Sequence, residues 1–528
     1  MKKNYMLLLI SAIVVVIAAL FLMPGKSNEC IDVKAEDVEE VKTGWVGEDG
    51  QWYYVNETTL EKESGFVEIN GYQYYFDPIT NLRHEGLLQL SEDEWYYMNT
   101  YGRMEKDCVI DNFVIDENGH IIRVFLNEEQ LEERKQTYQP EIDAIMKKYG
   151  AVSGAVALIE SGKVTNTWAY GEAVRGSVPM TADTKMRIAS ITKVVVAMNA
   201  MKLADEGILN LDESIGTYWG FPLYNGWYPD KPITMRSILS HTSSIADLNG
   251  YTNMEEKLKP NNIFRKVEPS NPSSYSYCNF AFCVGGTTLE KAANKTIYDI
   301  SEEYFFEPMG IDASFAGGRI ENKDLLSSLY YYDRSVARSK EAISNMMGSD
   351  VPGYDGSFMT GGLCISVTDL AKVISILVND GEYEGKRYLS KEAVKTMETP
   401  YGPADYHGVQ VTQCLPLKYN TNIYGEESLY FHTGSAYGAY TLFSYNPKTR
   451  NGVVVLTIGA SGVCDEYGIY SVCGEISELM YNVTNSFMKN REKEVSVSEN
   501  NLHEQNVSDN SLSGNLVLEN SISENQIP

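Results

Sequence analysis

Ser190 and Lys193 stand three residues apart in "RIASITKVVVAMNAM", residues 187–201. That spacing sets both side chains on one face of a helix. The run "VVVAMNAM" is apolar enough to require burial, so a lysine in its first turn sits against the helix dipole and beside a core. An acidic residue would suit a purely structural role there. A lysine so placed has a lowered pKa, as a base or proton relay needs, with the serine as its nucleophile. Downstream, "SYSYCNFAF" carries Tyr277 and Asn279 as Y-x-N, and "YFHTGSAYGAY" carries His432, Thr433 and Gly434, followed by Ser435. Hydroxyl, amine, phenol, amide and imidazole are the groups that nucleophilic acyl transfer uses. Decoys exist: S-x-x-K recurs at Ser486 and Lys489 on a solvated helix face, Y-x-N begins at Tyr54 and Tyr97, and H-x-G begins at His84. Only one set occurs in the order serine–lysine, Y-x-N, H-T-G. Cys278 reads as a small buried residue, His241 as a hydrogen-bonded structural histidine, and His407 as an exposed loop residue.

Serine with lysine, then Y-x-N, then H-T-G, resembles the serine β-lactamases and the penicillin-recognising D-alanyl-D-alanine peptidases. The likeness is greatest to the class C β-lactamase-like branch with its carboxypeptidases, D-aminopeptidases and esterases. "ITMRSILSHTSSIADL" near His241, "EPMGID" at Glu307 and "MTGGLCISVTDLAKV" from Met359 extend it. The resemblance implies that Ser190 attacks an acyl carbon while its proton passes to Lys193 or Tyr277, and that the backbone N–H groups of Ser190 and Ser435 form the oxyanion hole. Asn279 orients substrate amide and lysine, and His432, Thr433 and Gly434 line the substrate site. No metal or cofactor is expected. Most β-lactamases carry lysine where His432 stands, a permanent cation for the substrate carboxylate. Histidine leans the reading toward a D-alanyl peptidase of the carboxypeptidase kind, or an esterase for D-alanyl esters. A β-lactamase, a broad esterase, and a catalytically silent penicillin- or wall-binding protein are the alternatives.

The elements that must position these residues lie between about 126 and 490. "NEEQLEERKQTYQPEIDAIMKKYG" reads as an amphipathic helix broken near Pro140, followed by a hairpin, "SGAVALIE" and "KVTNTWAYG", turning at Ser161-Gly162. A second hairpin, "AYTLFSYNPKTRNGVVVLTIGA", and a helix around "YSVCGEISELMYNVTNSF" close the region. Terminal helices around hairpin strands predict an α+β domain, an antiparallel sheet flanked by helices plus a helical subdomain, of the β-lactamase/transpeptidase-like kind that the resemblance implies.

Residues 28–125 hold a repeat. "GWVGEDGQWYYV", "GFVEINGYQYYF" and "GLLQLSEDEWYYM" start at Gly44, Gly65 and Gly86, and "NFVIDENGHII" from Asn112 reads as a worn last copy. Each predicts a β-hairpin too small to bury its own face, so the copies are expected to stack as a solenoid. They resemble choline-binding or cell-wall-binding repeats, which implies a wall polymer, peptidoglycan or teichoic acid, as partner. Aromatics that only glue the repeats together are the alternative.

The remaining features bear on location. Residues 1–27 contain "MLLLISAIVVVIAALFLM", Met6 to Met23, after Lys2 and Lys3. As a helix it spans roughly 27 Å, near the hydrocarbon thickness of a bilayer. No small-x-small cleavage site follows, so the expectation is an uncleaved anchor with the rest of the chain outside the cell membrane, or secretion if the segment is cleaved. The net charge of −28 argues against nucleic acid. Eight cysteines in 528 residues are neither a disulfide framework nor zinc-spaced, although an oxidised pair stays open. Residues 491–528, rich in Ser, Asn and Glu, read as a disordered tail.

Overall fold

The computed structural model describes residues 42–484 apart from 49, 92–93, 111–112 and 125. The expected anchor, the tail, Cys30, Ser486 and Lys489 lie outside the described residues. Two compact units result among the described residues: one of residues 42–89 with 96–105, the other of residues 90–95 with 106–484.

The first unit holds hairpins. Gly44–Glu48 pairs with Gln51–Val55, Gly65–Ile69 with Tyr72–Phe76, and Gly86–Ser91 with Glu94–Met98. Asn70 and Gly71 both take positive φ, as a two-residue turn between right-twisted strands requires. The Trp45 ring stands 4.9 Å from the ring of Tyr74 in the next hairpin. Several aromatic faces already carry the protein's own cations: Lys62 Nζ lies 3.6 Å from the Tyr53 ring centroid and the Arg103 guanidinium 3.9 Å from that of Tyr72. The described part of the last expected copy, from Phe113, belongs to a separate three-stranded sheet of Cys108–Ile110, Phe113–Ile115 and Ile121–Val124.

The second unit is organised by a nine-stranded antiparallel sheet. Its strands run in the order Val178–Pro179, Lys163–Val174, Ser153–Glu160, Asn451–Ile458, Ala439–Asn446, Glu426–Ala436, Lys418–Ile423, Val409–Gln413 and Gly402–Tyr406. The first and last hairpins of the region are thus neighbours, with Ser153 opposite Ile458. Both faces are covered, so the central strands are apolar without a break. Val454, Leu456 and Ile458 enter one core, where the helices Thr192–Asp205 and Val367–Val378 pack. Val453 and Val455 enter the other, with Ile142 and Met146 of the helix Glu128–Lys148 and Ile476 and Met480 of the helix at 471–484. A third core, built on Ile238, Phe280 and Val284, closes a helical subdomain inserted between the hairpins.

Helix Glu128–Lys148 is continuous through Pro140, contrary to the expected break. An interior proline removes one backbone bond and costs about 3 kcal/mol. Anchors on both sides outweigh that. Ahead of it, buried Arg134 donates to Asn166 Oδ1 at 2.7 Å and Glu160 Oε1 at 3.0 Å, and Trp168 Nε1 donates to the Lys135 carbonyl at 3.0 Å. Behind it, Ile142 and Met146 are fully buried. Breaking one side of a buried ion pair is strongly destabilising. Arg134→Ala is therefore expected to lower unfolding free energy by about 3–5 kcal/mol, read as a shifted urea midpoint; an unchanged midpoint would remove this anchor from the account.

Candidate active site

Ser190 lies on a single 3₁₀ turn, Ala189–Ile191, that runs directly into the helix Thr192–Asp205. Ala189 takes φ +50°, a left-handed conformation that favours glycine and that its surroundings must enforce. Gly434 comes so close that a Cβ there would stand 2.5 Å from the Ile188 carbonyl oxygen and 3.0 Å from Ala189 Cβ. Thr441 Oγ1, on the next strand, donates to that carbonyl at 2.9 Å. The strand Glu426–Ala436 is thereby clamped to the residues preceding the serine. This brings Thr433, Gly434 and Ser435 alongside it.

The serine hydroxyl sits between two donors. Lys193 Nζ is 3.0 Å and Tyr277 OH 2.8 Å from Ser190 Oγ. Lys193 is fully buried, and loss of hydration lowers its pKa to about 7. Its other hydrogen bond runs to the Thr360 carbonyl at 2.8 Å. That carbonyl accepts an N–H, which leaves a neutral amine free to turn its lone pair toward Ser190. Burial raises the Tyr277 phenol above its ordinary pKa, so it stays protonated and donating. The arrangement can take a proton from Ser190 through Lys193 and deliver one through Tyr277.

Tyr277 is held from behind. The His241 ring lies 4.4 Å from it, and His241 Nδ1 accepts the Cys278 backbone N–H at 3.2 Å. Asn279 begins the helix Asn279–Ala293, whose first turn is capped by Cys278 Sγ, accepting from Ala281 N at 3.2 Å, and by Asp247 Oδ1, accepting from Phe280 N at 2.9 Å. The Cys278 thiol is pushed up to about 12 by burial. Asn279 is partly exposed, and among the described residues no hydrogen bond joins it to Lys193; Thr360 occupies that place. His407 is exposed, stacked on Tyr406, with Nδ1 2.7 Å from the Gly468 carbonyl. None of the cysteines among the described residues is in a disulfide.

His432 is buried. Its Nδ1 donates to the Thr433 carbonyl at 2.7 Å, and burial beside Lys418 and Lys193 holds it well below its ordinary pKa. It is neutral at pH 7. The cation nearby is Lys418, one strand away and absent from any motif in the sequence. Its ammonium is fully buried, has no hydrogen-bond partner among the described residues, and lies 5.8 Å from the Tyr277 ring centroid and 4.7 Å from that of Tyr406. Burial first, then Lys193, lowers it to about 7. The only sequence signal was a lysine directly after the apolar "CLPL".

The beta-lactamase family model matches residues 139–469, more than half of the chain, and the chain belongs to that family of serine hydrolases. Protein Rv1367c of Mycobacterium tuberculosis is 26% identical over 281 residues, 47% of this chain and 68% of the relative. The D-alanyl-D-alanine-carboxypeptidase/endopeptidase AmpH of Escherichia coli is 28% identical over 183 residues, 32% of this chain and 46% of AmpH. The chain thus spans about half the length of several of the curated relatives it matches. The D-amino acid amidase of Ochrobactrum anthropi SV3 shares the fold, with a TM-score of 0.52 at 19% identity over 68% of this chain and 99% of that one.

The proton-accepting form of Lys193 is the neutral one, whose fraction grows as pH rises through about 7. Acylation of Ser190 by an activated ester is expected to climb through that pH and then level. An ordinary lysine would place the limb near 10. Intact-mass labelling rates between pH 5 and 9 check this; a flat profile would exclude Lys193 as the base.

Proposed function

We propose that this protein is a serine acyl hydrolase working through an acyl-enzyme on D-alanyl peptide or ester groups of the cell wall. The observation that carries the reading is the Ser190 hydroxyl held between a lysine with lowered pKa and a protonated tyrosine. Ser190 Oγ attacks the acyl carbon as its proton passes to Lys193. Backbone N–H groups of Ser190 and Ser435 receive the oxyanion. As the bond from the acyl carbon to the leaving group breaks, Tyr277 gives its proton to the departing nitrogen or oxygen and is reprotonated from Lys193. Water then attacks the ester carbon, losing a proton to the same pair, and Ser190 regains its hydrogen. Asn279 and Thr433 orient the substrate amide.

In this reading a substrate carboxylate is met by Lys418, since His432 is neutral. Binding an anion would also favour the ammonium form of Lys418. Support for D-alanyl substrates comes from the likeness to AmpH, a D-alanyl-D-alanine-carboxypeptidase/endopeptidase, together with the absence of a permanent cation at His432. The hairpin unit is proposed to stack as a solenoid on the wall polymer, with exposed Trp52 and Tyr101 as contacts, and residues 6–23 to anchor the chain with its catalytic domain outside the membrane. Tethering of this kind raises the effective concentration of substrate.

Two tests follow from this scheme. Ser190→Ala is expected to abolish the covalent adducts formed with a penicillin, a D-Ala-D-Ala peptide and an activated ester, as read by intact mass; an adduct surviving the substitution would overturn the mechanism. A lasting penicillin adduct with peptide or ester turnover supports the peptidase or esterase reading, and a rapidly vanishing one points to a β-lactamase. Lys418→Met is expected to raise KM about tenfold for a substrate with a free carboxylate, the scale of one charge-assisted hydrogen bond, and to leave a neutral ester nearly unaffected. Equal effects on both would remove Lys418 from carboxylate recognition.

A further inference from the structure

Arg187 lies three residues before Ser190, on the short strand Met186–Arg187. Its guanidinium is mostly withdrawn from water, and its Nε is buried with no hydrogen-bond partner among the described residues. Its hydrogen-bond and ring partners are uncharged. One terminal nitrogen donates to the Gly361 carbonyl at 3.2 Å, the other lies 3.9 Å from the Met346 sulfur, and its Cζ stands 5.2 Å from the Tyr437 ring centroid. Arg338, ending the strand Val336–Arg338, lies against the same ring at 4.3 Å and donates to the Ala337 carbonyl at 3.1 Å. Among the described residues no carboxylate pairs with either arginine. The charged neighbour that Arg187 does feel is Arg338, which together with burial lowers it from its ordinary pKa.

An unneutralised guanidinium out of water is unfavourable, and a second one beside it makes it more so. This chain has 72 acidic residues against 44 Lys and Arg, so carboxylates are not scarce. Arg134 is paired with Glu160, Arg236 with Asp212, Arg319 with Asp350 and Arg387 with Glu382. Arg103, Arg175, Arg265 and Arg450 also have no carboxylate among the described residues, and the Nε of Arg265 is likewise unpartnered, but Arg187 and Arg338 share one ring close to the reactive serine. Gly361, which accepts from Arg187, packs on Ala189 and follows Thr360, whose carbonyl holds Lys193. Tyr437, two residues beyond Ser435, stands in the turn after that strand, at φ +54° and 37% exposed. Arg187 is thereby tied to both segments that flank Ser190, and Arg338 to the second of them through the half-exposed Tyr437.

We propose that Arg187 and Arg338, gathered around Tyr437, form an oxyanion-binding subsite beside the Ser190 centre, selecting substrates that carry a phosphate or carboxylate away from the scissile bond. Planar guanidiniums make paired hydrogen bonds to both groups, and the orphan Nε of Arg187 is a donor still to be satisfied. A polyol-phosphate polymer and an acidic peptide are the two sources of such an anion. The subsite rests on the acyl-hydrolase reading for its use in catalysis, but not for binding.

Binding is therefore read first, by titration calorimetry on the full chain carrying Ser190→Ala. The probes are glycerol 3-phosphate, N-acetylglutamate and, as neutral control, glycerol. Saturable binding of either anion and none of glycerol is expected, weakened tenfold or more by Arg338→Gln in the same background. Which anion binds more tightly identifies the source. With Ser190 restored, D-alanyl glycerol 3-phosphate should exceed D-alanyl glycerol in kcat/KM by at least tenfold, and Arg338→Gln should bring that ratio near one without slowing the neutral ester. Arg338 lies on a strand apart from the Ser190 segment, and Arg187→Gln serves as a second variant. Anion binding indifferent to both substitutions, or no binding while the neutral ester is turned over, overturns the subsite and leaves the hydrolase reading intact. Arginine-dependent binding with no turnover of any ester or peptide supports the subsite and defeats the hydrolase reading.

Discussion

Lys193 is an amine removed from water with no carboxylate bonded to it, and the centre around Ser190 depends on that circumstance. In a solvated position, or against an aspartate, the same side chain would be an ammonium at neutral pH and could not accept a proton. Burial on all sides by the helix cores brings its pKa near 7, and the Thr360 carbonyl orients what remains. The strained Ala189, the close approach of Gly434 and the capped start of the helix after Tyr277 fix Ser190 and Tyr277 around that amine.

The same dryness acts on every titratable neighbour. His241 and His432 are pressed toward the neutral form, Tyr277 is kept protonated, and Lys418 is brought to about 7. Positive charge in the cleft is therefore conditional on pH or on an arriving anion. The Arg187 guanidinium differs: arginine starts so high that it stays charged even when burial lowers it. One site thus contains switchable and permanent cations at different positions.

The antiparallel sheet flanked by helices was legible because its hairpins announce themselves. Ser161-Gly162 turns one, and unbroken apolar runs mark strands covered on both faces. The meeting of Ser190, Lys193 and Tyr277 could be anticipated from motif order, since each motif is made of side chains. Thr360 could not, because it acts through a backbone carbonyl that any residue supplies. Asp247 caps a helix from 33 residues away, and local spacing does not reveal it. Lys418 gave only a lysine after apolar residues, whose significance depends on a strand pairing. Pro140 misled because propensity is local, whereas Arg134, Trp168 and Met146 hold the helix through tertiary contacts.

The placement of the first and last hairpins side by side has a consequence for how the chain is made. Ser153 is opposite Ile458, so the centre of the sheet joins segments some three hundred residues apart in sequence. Loop closure over that distance must precede any reward from the central pairing. A nascent chain emerging from its N-terminal end can form the hairpin Ser153–Val174 early, but that hairpin keeps an unpaired apolar edge until Asn451–Ile458 arrives. During that interval the exposed edge is open to wrong partners. Completion of the domain is thus timed by delivery of the strand Asn451–Ile458, and a chain halted before Asn451 would lack the strand that closes it.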